Sequence, residues 1–102
     1  MNVGSLYKVK QFFWLLFPTK DDAAAPTAVA AADSAATGSP GDATFWSKRY
    51  KCNVTYFSPD SYIVLLEEDG KFKKLLTSDG KLGWTWCDER YNSSFEEVKK
   101  ES

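Results

Sequence analysis

Two Asp-Gly dipeptides ten residues apart, Asp69-Gly70 and Asp79-Gly80, constrain this chain more than any other feature of its sequence. The first separates the β-prone runs Tyr62 to Leu66 and Phe72 to Thr77, and the second leads into Lys81 to Cys87. Gly accepts positive φ freely and Asp tolerates it, so both dipeptides suit two-residue hairpin turns and predict a three-stranded meander. Counting outward from such turns pairs Glu68 with Lys71, Leu66 with Lys73 and Val64 with Leu75. Across the second turn the same count pairs Leu75 with Trp84 and Lys73 with Trp86. One face then carries Tyr62, Val64, Leu66, Leu75, Leu82, Trp84 and Trp86 as the expected core face, while Ile63, Leu65, Phe72 and Leu76 lie opposite.

Upstream, Asn53 to Phe57 reads as a further short strand, stopped by the turn Ser58-Pro59-Asp60. The N-terminal run from Ser5 to Phe17 alternates at Tyr7 and Val9, then becomes apolar from Phe12 until Pro18 ends it, as expected of a long, bent strand. After Cys87 the pattern loosens, although Ser94-Phe95-Glu96-Glu97 has capping-box spacing and predicts a short C-terminal helical turn.

Between Asp21 and Ala43 the composition changes abruptly: 23 residues hold ten Ala, four Asp, two Pro and two Gly, with no Lys, Arg or aromatic. Short isolated helices are marginal in water, so this stretch is expected to be a disordered insert. It divides the chain into residues 1–20 with the first strand, the insert 21–43, and residues 44–102 with the remaining strands and the tail. All sixteen aromatics lie outside it, enough apolar surface for a small core. Its carboxylates also conceal a mild basicity, because the net charge of −1 becomes 13 positive against 10 negative charges in the other 79 residues.

The chain has no histidine, so the usual general base, the commonest metal ligand and the switch near neutral pH are missing. Adjacent carboxylates such as Glu67-Glu68, Asp88-Glu89 and Glu96-Glu97 point to opposite sides of a strand, which suits no shared acid-base task. No phosphate-binding Gly loop or nucleophile elbow occurs. The expectation is therefore a protein that is not an enzyme and needs no cofactor or metal. Cys52 and Cys87 are too few for a disulfide scaffold; they read as two thiols, with a single disulfide as the alternative. Lys8 and Lys10 before Phe12 to Phe17 imitate a signal peptide, but the apolar run has only six residues. A membrane span needs roughly twenty. A cytoplasmic location is expected.

Five short strands, a long loop after the first and the closing run Asp79-Gly80-Lys81-Leu82-Gly83-Trp84 together resemble the SH3-like barrel, in particular bacterial SH3 domains with a Gly-x-x-Gly-Trp run before the last strand. The resemblance implies an all-β, five-stranded barrel over residues 3 to 90, with the Ala-rich insert in the place of the RT loop. Ser5-Leu6-Tyr7-Lys8-Val9 keeps only Leu-Tyr of the motif that builds the proline-peptide groove, so polyproline recognition is not implied.

Binding candidates come from aromatics beside the insert and from Lys clusters. Phe45, Trp46, Tyr50 and Trp86, with Lys48 and Arg49 as rim charges, compose the expected surface for a protein partner. Lys73, paired by the count with Trp86, is expected to form a cation-ring contact. Lys51 with Lys48 and Arg49, and Lys71 with Lys73 and Lys74, are the alternative contacts to a single-stranded nucleic acid. A third reading makes the chain a structural subunit of a larger assembly, phage assemblies included, with residues 12–17 packed against a neighbour.

Overall fold

The computed structural model describes residues 2–37 and 43–98. Strands β1 (Leu6–Val9), β4 (Tyr62–Asp69), β5 (Phe72–Thr77), β6 (Leu82–Trp86) and β7 (Phe95–Glu97) form an antiparallel sheet in the order β6-β5-β4-β1-β7. A second sheet pairs β2 (Trp14–Leu16) with β3 (Thr55–Phe57). The expected N-terminal strand is indeed bent, in the form of two strands, with Phe12 at the corner in a left-handed conformation (φ 70°). Trp14 of β2 meets Phe95 of β7 at a ring separation of 5.0 Å, tying the two sheets across the core. Phe17 and Trp84 form a bridge that joins β2 to β6, yet among the described residues the strands do not close into a barrel.

The meander exists, one residue out of the expected register. Asp69 pairs with Phe72 around a Gly70-Lys71 turn in which only Gly70 has positive φ (60°). A turn centred on Asp69-Gly70 would need positive φ at Asp69 as well, whereas this one needs it at glycine alone. The second connection is a three-residue loop, not two: Thr77 N–H donates to Lys81 O, and Gly80 supplies the left-handed residue (φ 91°). Because side chains alternate, a bulge between Leu65 and Glu67 and the three-residue loop turn β4 and β6 over relative to β5. Ile63 and Leu65 are buried, whereas Tyr62 and Leu82 are exposed and Val64, Leu66 and Trp84 only half-buried; Leu75 and Trp86 lie in the core as expected.

The segment expected to be disordered is largely helical. Helix α1 (Lys20–Ala24) starts at Thr19, whose hydroxyl accepts from Asp22 N–H at 3.1 Å, and α2 (Pro26–Thr37) follows with Pro at its first position. Ala28, Ala31, Ala32, Ala35 and Ala36 recur at helical spacing and are all buried. This stripe of methyl groups lets α2 lie close on β2 and β6. Residues 38–42 of the insert lie outside the described residues. The C-terminal helical turn also moves: Asp88 caps a 3-10 helix over Glu89–Ser94, and the residues with capping-box spacing form β7 instead. Phe95 pairs with Val9 and faces Trp14, a burial that a short exposed turn would forfeit.

Candidate protein-interaction surface

Helix α3 (Ala43–Tyr50) carries most of the expected binding residues and is anchored at one point by Ser47. Its hydroxyl donates to Val54 O at 3.1 Å and accepts from Val54 N–H at 2.9 Å, fixing the helix to the residues that enter β3. Lys51 ends the helix in a left-handed conformation (φ 55°), the usual C-terminal stop, here without the customary glycine. Trp46 and Tyr50, four residues apart, stack with centroids 6.0 Å apart and planes 18° apart, and Tyr50 meets the Phe17 ring edge-on at 6.3 Å. Both rings are half-buried and pack against the core, so they form the base of this surface more than its projection. Phe45 belongs to the same helix; its side chain lies outside the described residues.

Lys48, Arg49 and Lys51 are exposed, and none has a carboxylate partner among the described residues. Elsewhere cations are mostly paired: Lys8 with Asp60, Lys20 with Asp69, Lys71 with Asp88, Lys73 with Glu68, Lys81 with Asp79, and Arg90 with Asp33 and Asp88. Lys48 and Arg49 lie in the last turn of α3, where the helix dipole favours positive charge. Three exposed cations therefore cluster at one helix end without a neutralising partner among the described residues.

The second Lys cluster does not form a surface. Lys73 is 5% exposed and points inward, its ammonium donating to Cys87 O at 3.3 Å and Gly70 O at 3.4 Å, so it is withdrawn from phosphate contact. Lys71 is held 3.7 Å from Asp88, and Lys74 alone of the three is unpaired among the described residues. The expected contact of Lys73 with Trp86 is also absent, because the register sets Phe72 opposite Trp86 and Lys73 opposite Thr85. Trp86 is 8% exposed and lies beneath a different cation, Arg90, at 5.9 Å, which removes it from the candidate surface. Arg90 and its partners were not anticipated. Its guanidinium covers Tyr91 at 4.9 Å and reaches Asp33 at 3.2 Å, while Tyr91 O–H donates to the same Asp33 oxygen at 2.6 Å, clamping α2 to the 3-10 helix. Asp33 was legible only as a lone charge within the Ala stripe.

Cys52 and Cys87 are free thiols. Burial pushes the Cys87 thiol up to about 11, far from the range of a reactive thiolate. The described residues include no cluster of three or more candidate metal ligands, and no described helix is long and apolar enough to cross a membrane. Compared with known proteins, the chain matches no family model, no curated protein and no solved structure.

Proposed function

We propose that this protein is a non-enzymatic interaction module that binds an acidic segment of a protein partner through the end of α3. Lys48, Arg49 and Lys51 supply the charge, and Trp46 and Tyr50 supply an apolar base. The observation that carries this reading is their coincidence: of the five described cations without a carboxylate partner, three lie together on one helix end beside a stacked aromatic pair. Complementary charge of this kind speeds encounter and selects partners. The scaffold is an open SH3-like arrangement, a reading supported by the five-stranded antiparallel sheet and by the long excursion between β1 and β4 at the place of the RT loop. A cytoplasmic setting accords with two unpaired thiols. Burial of Lys73 and the ion pair of Lys71 count against the nucleic-acid alternative.

The test is affinity capture from a lysate of the native source with and without nuclease, comparing the natural chain with a Lys48→Glu/Arg49→Glu variant. These side chains are exposed, so the variant should keep its circular dichroism and melting temperature. A captured protein that survives nuclease and is lost with the variant is the expected result. Capture unaffected by the variant rejects α3 as the surface, and capture abolished by nuclease rejects a protein partner in favour of nucleic acid.

A further inference from the structure

We draw no further inference here: the strongest candidate, the outer face of the five-stranded sheet, where Leu6, Val64, Leu76 and Leu82 stand in an aliphatic row, carries nothing because nothing in the structure shows what covers it.

Discussion

Replacing Gly83 by Ala tests the seam between the two sheets. A Cβ at position 83 would lie 2.8 Å from Phe17 O and 3.2 Å from Leu16 Cβ. The nearer atom is backbone and cannot swing aside, and it is the carbonyl that accepts from Trp84 N–H at 2.7 Å while Phe17 N–H donates to Trp84 O at 2.7 Å. Relief of the clash therefore requires β2 and β6 to separate. Overpacking costs about 1 to 3 kcal/mol and the two weakened hydrogen bonds about 0.5 kcal/mol each, so the expected loss is about 2 to 4 kcal/mol. For a domain of this size that is roughly 10 to 25 °C in melting temperature. Gly80→Ala is the control, because Gly80 has no neighbour within 4 Å and its loss is that of a left-handed residue alone (φ 91°), about 1 to 2 kcal/mol. Urea unfolding read by circular dichroism gives both values, and amide exchange at Phe17 and Trp84 shows whether the seam has opened. A Gly83→Ala protein no less stable than Gly80→Ala, or one with both amides still protected, refutes the reasoning.

The hydrogen bond to Asp33 holds the Tyr91 hydroxyl above its usual value of 10.0, so the folded state keeps this proton longer than the unfolded chain. That contribution is complete below the unfolded value and lost as pH rises through the folded one; urea midpoints should fall more steeply above pH 10 in the natural chain than in Asp33→Ala, which lacks the bond. Cys87 should resist a disulfide reagent at pH 8 until the protein unfolds, while half-buried Cys52, whose thiol burial also raises, labels first; mass spectrometry of the labelled peptides checks the order. Ala32→Leu, on the buried face of α2, should cost about 1 to 3 kcal/mol by overpacking, whereas Ala30→Leu on the exposed face should change the urea midpoint little.

The strands of the meander were legible because their signals are local: β-prone runs on either side of Asp-Gly, a bend before Phe13, and Ser58-Pro59-Asp60 closing β3. Register was not, since it depends on a bulge between Leu65 and Glu67 and on a three-residue second loop, each of which turns the adjoining strand over relative to β5. Alternation could not arbitrate, because β4 is apolar on both faces from Tyr62 to Leu66. The helices were hidden for a different reason. Ala carries little hydrophobic contrast, so a buried stripe at positions 28, 31, 32, 35 and 36 resembles the low-complexity composition of a linker, although its spacing is that of a docked helix. At the candidate surface, Lys48, Arg49 and Lys51 were identifiable from sequence, but their isolation from carboxylates was not, because the acids that neutralise other cations come from distant segments: Asp69 for Lys20, Asp33 for Arg90.

The same register error misplaced the apolar residues of β4 and β6. Val64 and Leu82, expected in the core, stand on the outer face with Leu76, while Ile63 and Leu65, expected opposite, fill the core beside Leu75. The N-terminal apolar run undergoes the opposite change. Trp14, Leu15, Leu16 and Phe17 are each at most 1% exposed, so the run offered for contact with a neighbouring subunit is spent inside the fold.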